Sequence, residues 1–235
     1  MKIALFSDIH ANLPAFEAFL ADMDSRKPDA IYCLGDLVGY NLWPNEVIAE
    51  IRKRQIPTLA GNHDLKKLST DATGKNHAYH LISDEGRDYL QALPAHIRLE
   101  YEFNGQPFHI LLVHGSPRSN NEYVLEELLE EIVSEWMDTA GADILFCAHS
   151  HKPYHRVIKT QSGLKQIINT GSVGKPKDGN PQGGYVMLTL DKILNPDESL
   201  KIEFIRFDYD VEKSAKAIEA SPLPDEFADR LRKAY

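Results

Sequence analysis

The stretch Gly61-Asn62-His63-Asp64 stands where an apolar run gives way to a polar loop. The apolar run, Ile56 to Ala60, predicts a buried strand, and the glycine after it permits a sharp turn. A strand that ends in a tight turn places the next side chains at the carboxyl edge of a sheet, where α/β proteins bind ligands. Asn62 offers an amide oxygen to a metal ion, and His63 can exchange a proton near neutral pH. The same residues also fit an Asx-type turn with a surface histidine. The motifs elsewhere in the chain must therefore decide between a metal site and a plain turn.

The composition is typical of a globular chain with a hydrophobic core. The 235 residues are 43% hydrophobic and 26% charged, which favours a single α/β domain over residues 1–235. The formal net charge of -9 disfavours extended nucleic-acid binding, which requires a basic surface. Cys33 and Cys147 lie in apolar runs and are expected to be reduced core residues. Because no apolar run approaches the length of a signal peptide core or a membrane span, we expect a cytoplasmic protein without membrane contact.

Apolar strands alternate with amphipathic helices in the first half of the chain, which is the pattern of a layered α/β sheet. Strands are predicted over Lys2 to Phe6 and Ala30 to Leu34, each followed by a helix. The runs His96 to Phe103 and Phe108 to Val113 predict two more strands, and Asn104-Gly105 between them is a hairpin signal.

The second half predicts one long helix and several strands. Glu122 to Asp138 has an apolar face and an acidic face, which predicts an amphipathic helix with the acidic face in solvent. Ile144 to Cys147 is a predicted buried strand. Further strands and two terminal helices are predicted at 154–160, 164–169, 185–190, 200–207, 211–220 and 225–233, with Ser162-Gly163 turning the first pair.

Five of the predicted strands end in side chains that can bind a metal: Asp8 and His10, Asp36, Asn62 and His63, His114, and His149 and His151. One such histidine is more often a surface residue than a ligand, but five strand ends of this kind in one chain are hard to treat as independent accidents. In extended backbone, residues i and i+2 point to the same side, so the pairs Asp8/His10 and His149/His151 can each converge on one ion. Imidazole, carboxylate and carbonyl groups without a thiolate favour divalent metals such as Mn, Fe or Zn.

The ordered series of these motifs resembles the calcineurin-like metallophosphoesterase superfamily. The segments that carry the resemblance are Asp8-Ile9-His10, Gly35-Asp36, Gly61-Asn62-His63-Asp64, His114 and His149-Ser150-His151. Other segments are similar to the YfcE-like branch of small bacterial and archaeal phosphodiesterases: Ser7 to Pro14, Gly35 to Tyr40, His114 to Pro117 and Asn169 to Gly174. The resemblance implies an α/β fold of the metallophosphoesterase type, a four-layer αββα double β-sandwich.

The resemblance also implies a site with two divalent transition metal ions, for which Mn, Fe, Zn and Ni are the candidates. Carried over by position, one ion would be bound by Asp8, His10, Asp36 and His151, and the other by Asp36, Asn62, His114 and His149. The implied reaction is attack of a metal-bridging hydroxide on phosphorus. In that reaction His63 would stabilise charge or protonate the leaving oxygen.

The sequence departs from related branches after Asp36. The protein-phosphatase and diadenosine-tetraphosphatase branches carry Gly-Asp-x-x-Asp-Arg, and this chain has Gly39 and Tyr40 where the second aspartate and the arginine would stand. The carboxylate that orients the catalytic histidine in those branches is therefore missing, and so is an arginine that clamps phosphate. Ala148 replaces a glycine before His149 and is not expected to remove a ligand.

We expect a metal-dependent phosphoesterase that prefers small phosphodiesters. A phosphomonoesterase or nucleotide phosphatase is the alternative enzyme, and a non-catalytic scaffold of the same fold is the alternative outside enzymes. A scaffold does not need every ligand together with His63, so their presence favours an enzyme. Tyr40, Asn41 and Arg118 follow site motifs and are expected to contact the substrate, and residues 66–94 are expected to be an insertion over the active site.

Overall fold

The computed structural model describes residues 1–103, 106–160, 163–190 and 200–235. Its strands are β1 (Lys2–Phe6), β2 (Ala30–Cys33), β3 (His96–Phe103), β4 (Gln106–Val113), β5 (Ile144–Cys147), β6 (Tyr154–Thr160), β7 (Gly163–Asn169), β8 (Gly183–Leu190) and β9 (Leu200–Phe207). Its helices are α1 (Leu13–Arg26), α2 (Pro44–Lys53), α3 (His77–His80), α4 (Asp84–Gln91), α5 (Glu130–Thr139), α6 (Val211–Glu219) and α7 (Glu226–Lys233). No helix within the described ranges has the length and hydrophobicity needed to span a bilayer.

The strands form two sheets. Sheet A has the order β2-β1-β8-β9, and sheet B has the order β3-β4-β5-β7-β6. In sheet A, β1 and β2 are parallel; in sheet B, β4, β5 and β7 are parallel. The strands on either side of the predicted hairpins pair antiparallel, although the turn residues Asn104-Gly105 and Ser162 lie outside the described ranges.

The sheets pack face to face, with helices on both outer faces. On β1, Ile3 and Leu5 join a buried cluster with Ile110 of sheet B, whereas Ala4 and Phe6 pack on the side of α1 and α2. This is the alternation expected of a strand buried on both faces. On the far side of sheet B, Leu111 and Leu145 pack with residues of α5. The predicted four-layer αββα architecture is therefore confirmed.

The strand predicted over Ile56 to Ala60 is wrong. The structure has a single parallel bridge there, between Thr58 and Cys33. Pro57 lacks the amide hydrogen that a continued ladder needs, and its carbonyl instead accepts from the Cys33 amide at 3.0 Å. One bridge is enough to place the loop that follows beside the end of β2.

The predicted helix from Glu122 to Asp138 is half wrong, because α5 begins only at Glu130. The preceding carbonyls are bound by side chains of β6: Tyr154 Oη donates to the Val124 carbonyl at 2.6 Å, and Arg156 donates to the Leu128 carbonyl at 2.7 Å. The amides of Leu128 and Ile132 donate instead to the carbonyls of Leu125 and Leu129, each at 3.2 Å, so the α-helical pattern is not formed before Glu130. Tertiary contacts have overridden the helical periodicity of this segment.

Candidate metal centre

The carboxyl ends of the parallel strands of both sheets meet at one edge of the sandwich. Loops after β1 and β2 carry Asp8, His10 and Asp36, and loops after β4 and β5 carry His114, His149 and His151. Two groups of potential ligands form there, within each of which the ligand atoms lie within 4.8 Å of one another. The first is Asp8, His10, Asp36 and His151, and the second is Asp36, His114 and His149. Asp36 belongs to both groups.

Short distances join the two sheets across this edge. His151 Nε2 lies 3.1 Å from Asp8 Oδ1 and 3.1 Å from His10 Nε2. His114 Nε2 lies 3.3 Å from Asp36 Oδ2 and 3.1 Å from the amide oxygen of Asn62. Asn62, which is not an acid or a histidine, thus lies beside the second group, as its position in the sequence predicts.

Asp8 and Asp36 each have one carboxylate oxygen that accepts a hydrogen bond and one that accepts none from the described residues. Asp8 Oδ2 accepts from Ser7 Oγ at 2.6 Å, and Asp36 Oδ1 accepts from the His63 amide at 2.8 Å. Asp8 Oδ1 and Asp36 Oδ2 are buried and receive no hydrogen bond from any residue that the structure describes. A buried carboxylate oxygen without a partner is costly, and a cation among these donors would remove that cost. The donor set therefore fits divalent metal ions.

Backbone carbonyls fix the orientation of three of the histidines. The Nδ1–H groups of His10 and His114 donate to the carbonyls of Val38 and Leu34 at 3.0 and 2.8 Å, and that of His151 donates to the Lys175 carbonyl. With Nδ1 engaged, each ring presents Nε2 to the cluster, the arrangement commonly found around metal-bound histidines.

The backbone at the cluster is in the left-handed region. The φ angles are 53° at Asp8, 51° at His10, 56° at Asp36, 65° at His149 and 60° at His151. Such angles are uncommon outside glycine and concentrate at functional sites. The expectation that extended backbone makes Asp8/His10 and His149/His151 converge is therefore wrong: tight left-handed turns bring them together. At the first turn, the amides of Asp8 and His10 donate to the carbonyls of Gly35 and Asp36, each at 3.0 Å.

Asp64 holds the loops of Asp36 and Gly61 together. Its carboxylate accepts from the backbone amides of Asp36, Leu37 and Gly61 at 2.8, 2.9 and 2.9 Å. The loops are so close that a Cβ on Gly61 would lie 2.1 Å from Asp36 Oδ1, which explains the glycine at this position. Asp64 is thus a structural partner of the site, and its oxygens are used by amides.

Charge interactions within the cluster shift the pKa values of its carboxylates and imidazoles. Burial acts to lower the pKa of His114, but the neighbouring Asp36 raises it to about 10. Burial acts in the opposite direction on Asp8, yet His151 and the other histidines hold its pKa well below the usual range. Burial lowers the pKa of His151 to about 4. The ionised carboxylates and the neutral His151 imidazole are in the protonation state that metal binding requires, whereas His114 would release its proton to an incoming cation.

His63 lies beside the cluster and is held by a tyrosine that the sequence did not single out. Its Nδ1 forms a short hydrogen bond with the hydroxyl of Tyr79, which lies on α3 within residues 66–94. A Cβ on Gly39 would lie 2.7 Å from His63 Nδ1 and 3.1 Å from the Tyr79 hydroxyl. The absence of a side chain at position 39, where related branches have aspartate, therefore leaves room for the phenol. Burial lowers the pKa of His63 to about 3, so the imidazole is neutral at neutral pH.

The three predicted substrate contacts lie in different surroundings. The ring of Tyr40 lies against both His10 and His63, with centroid distances of 4.8 Å to each. Asn41 is buried and donates to the His10 carbonyl at 3.0 Å. Arg118 pairs with Glu122 and lies over the Trp136 ring at 4.5 Å, so its guanidinium has partners outside the Asp/His cluster.

Lys175 is a buried cation next to Tyr40. The residue is 1% exposed, its Nζ lies 4.7 Å from the centroid of the Tyr40 ring, and no hydrogen-bond acceptor contacts Nζ within the described residues. Burial lowers the pKa of its amine to about 7. A buried charge without a counter-charge destabilises the folded state.

We expect Lys175→Met to raise the free energy of unfolding by about 1–2 kcal/mol at pH 6, because the unpaired charge is removed and the aliphatic volume is kept. The folded-state pKa is depressed, so the penalty is fully present below about pH 7 and fades as pH rises toward the ordinary value of 10.5. Urea unfolding of both proteins at pH 6 and pH 10 measures the difference. A lower free energy of unfolding in the variant at pH 6 would contradict this account.

Comparison with known proteins agrees with the geometry. A family model described as the calcineurin-like phosphoesterase superfamily domain matches residues 1–192. An uncharacterized protein of Methanocaldococcus jannaschii is 31% identical over 251 residues, covering 97% of this chain and 96% of that protein. The crystal structure of a metallophosphoesterase from Sphaerobacter thermophilus matches with a TM-score of 0.77 at 28% identity, covering 100% of this chain and 99% of that one. A hypothetical protein from Pyrococcus horikoshii OT3 matches with a TM-score of 0.80 at 21% identity, covering 100% and 98%, and shows similarity of fold.

Proposed function

Since the chain belongs to the calcineurin-like phosphoesterase superfamily, we propose that it is a hydrolase of small phosphodiesters that uses two divalent metal ions. The observation that carries the proposal is the pair of ligand groups sharing Asp36. The coarser conclusion, a phosphoesterase family with an Asp/His cluster suited to divalent metals, follows from the family match and the cluster. The number of ions and the diester preference are parts of the proposal.

The ligand groups fit two ions with one shared carboxylate. Asp8, His10, Asp36 and His151 would hold one ion, and Asp36, His114 and His149 the other, with the Asn62 oxygen beside His114. Two divalent ions in such a site would lower the pKa of a bound water molecule and would place positive charge beside the phosphoryl oxygens. The donors are imidazole and carboxylate groups without thiolate, which favours Mn, Fe, Zn or Ni.

His63 has the right surroundings for a donor to the leaving oxygen. Its backbone amide is tied to Asp36, and its Nδ1 is tied to Tyr79, so Nε2 is the ring nitrogen left for a substrate. Burial raises the pKa of the Tyr79 phenol, which therefore keeps its proton. When that O–H donates to Nδ1, the neutral ring carries its own proton on Nε2. We assign Tyr79 as a positioning residue that selects this tautomer, and His63 as the group that donates to the leaving oxygen.

The diester preference rests on the sequence around Tyr40. A phosphomonoester brings about one more negative charge than a diester at neutral pH and calls for additional cationic contacts. Position 40 has an aromatic ring instead of an arginine, and the ring packs on His10 and His63. The site thus offers an apolar wall where a second ester substituent can lie. An organic ester group fits that wall better than a free phosphoryl oxygen does.

The test is hydrolysis of bis-p-nitrophenyl phosphate and p-nitrophenyl phosphate by metal-stripped protein, with Mn, Ni, Zn or Mg added back separately. We expect no turnover without metal, restored turnover with a transition metal, and faster cleavage of the diester. His63→Ala is the comparison variant, in which diester cleavage should fall while metal binding, measured by elemental analysis, stays the same.

Each alternative function predicts a different result. Faster cleavage of the monoester would support a phosphomonoesterase or nucleotide phosphatase. Binding of about two metal equivalents without turnover of either ester would support a scaffold. Absence of metal binding would contradict the proposed centre altogether.

A further inference from the structure

A small cavity adjoins the candidate centre on the side of His63. It has a volume of about 230 Å³ and is lined by Tyr40, His63, Lys66, Lys75, Tyr79 and Phe227. This is below the roughly 300–1,000 Å³ of pockets for drug-sized ligands, so the cavity suits one ring with its substituents. Since His63 also donates its amide to Asp36, it is the residue that joins the cavity to the candidate centre.

Aromatic rings form the walls of this cavity. The rings of His63 and Tyr79 are nearly parallel, at 18° and 6.0 Å between centroids. Phe227, from α7, meets the Tyr40 ring edge-on at 5.1 Å and 73°. Tyr79 and Phe227 are only 5% and 7% exposed, so their rings are held in place by packing. Rigid aromatic walls favour a flat, unsaturated ligand group.

Two lysines stand at the mouth of the cavity. Lys66 Nζ lies 4.5 Å from the centroid of the Tyr79 ring, and burial together with the nearby charge of Lys75 lowers its pKa. Both side chains are exposed, neither forms an ion pair with a described residue, and no carboxylate lines the cavity. Two cations brought close together without an acidic partner favour an anionic ligand.

We propose that this cavity binds the leaving group of the substrate, and that it selects leaving groups that combine an unsaturated ring with a phosphate of their own, as nucleotides do. The inference rests on the proposed function, because His63 acts at the leaving oxygen only in a phosphoesterase. In the reaction water adds to phosphorus, the bond from phosphorus to the leaving nucleoside oxygen breaks, and that oxygen takes up a proton. The ring of the leaving nucleotide then lies between Tyr40 and Tyr79, and its remaining phosphate lies at Lys66 and Lys75.

Binding is tested first, without turnover, by calorimetric titration of the protein with adenosine 5′-monophosphate and with adenosine. We expect the nucleotide to bind about tenfold more tightly, because each exposed ammonium–phosphate contact contributes a factor of a few. In Lys66→Met/Lys75→Met the two affinities should become similar. The control variant, Lys213→Met/Lys216→Met, removes two exposed amines on α6 that do not line the cavity and should keep the preference.

Turnover provides the second readout. A dinucleoside monophosphate is compared with the same molecule phosphorylated on the leaving nucleoside, and the ratio of kcat/KM should be about ten in favour of the phosphorylated substrate. The ratio should fall toward one in Lys66→Met/Lys75→Met. Equal binding of nucleotide and nucleoside by the unaltered protein, or a preference that survives loss of both lysines, would overturn the inference. Failure of bis-p-nitrophenyl phosphate to react with any metal would instead count against the proposed function, while the titration would still decide what the cavity binds.

Discussion

Asp36→Asn is expected to lower diester hydrolysis by about 1,000-fold or more, because Asp36 belongs to both ligand groups and its buried Oδ2 has no hydrogen-bond donor among the described residues. The asparagine keeps the volume and can still accept from the His63 amide, but it presents no negative charge to a metal. Elemental analysis should show that bound metal falls below that of the unaltered protein. Near-normal metal content together with near-normal turnover would refute the shared role of Asp36.

Asp64→Asn is the matched control for Asp36→Asn, since both carboxylates are buried at the same loops. Asp64 accepts from three backbone amides, and an asparagine oxygen cannot satisfy all of them with the same geometry. We expect Asp64→Asn to lower the free energy of unfolding by about 2–3 kcal/mol with or without metal, because its amide contacts are lost in both cases. Asp36→Asn should instead remove the additional free energy of unfolding that added metal gives the unaltered protein. Urea unfolding with a chelator and with added metal distinguishes the two. A gain on metal addition that survives Asp36→Asn would mean that Asp36 is only a structural residue.

Tyr79→Phe is expected to slow the cleavage of poor leaving groups by about 10- to 100-fold while slowing good leaving groups by less than about threefold. The reason is that a weakly basic leaving group, such as p-nitrophenolate, departs without a hydrogen bond from His63, whereas phenolate gains from one. The measurement compares kcat for methyl phenyl phosphate and methyl p-nitrophenyl phosphate. An equal loss for both substrates would indicate a merely structural tyrosine.

Two further variants separate positioning from general damage. Tyr89→Phe alters a partly buried phenol on α4 that has no contact with His63, and it should leave the dependence on leaving group unchanged. The double variant His63→Ala/Tyr79→Phe should be no slower than His63→Ala alone, because a residue that acts through His63 has nothing to position once the imidazole is gone. Additive losses would show that Tyr79 acts independently of His63.

The place of the candidate ligands in the fold could be predicted because each follows an apolar run. Strands such as β1 and β5 are buried on both faces and read as continuous apolar runs, so the residues just beyond them had to lie at a sheet edge. The layers followed from the same runs and the helices between them. The apolar run before Gly61 predicted the right place for the loop although the backbone there forms only one bridge.

Other features depend on packing that periodicity does not encode. Tyr79 lies 16 residues from His63, and only the folding of residues 66–94 brings the two side chains together. The sequence contains one indirect indication of this contact: Gly39 has no side chain, so a group other than residue 39 had to orient His63. The left-handed turns at Asp8 and His149 could not be predicted either, because glycine is the usual sequence sign of such a backbone and neither residue is glycine. The segment from Glu122, expected to be helical, is instead tied to β6 by side-chain hydrogen bonds to its carbonyls, a contact that periodicity does not encode.

The division of the ligands between the two sheets has a consequence for assembly. Asp8 and Asp36 come from sheet A, whereas His114 and His151 come from sheet B, and 141 residues separate Asp8 from His149 along the chain. An ion bound by both sets would link sheet A to sheet B. Its full set of ligands would come together only after the two sheets had packed against each other. By mass action, the free energy of unfolding would then rise with the concentration of free metal. Occupancy of the metal site would thus also indicate that the two sheets have packed together.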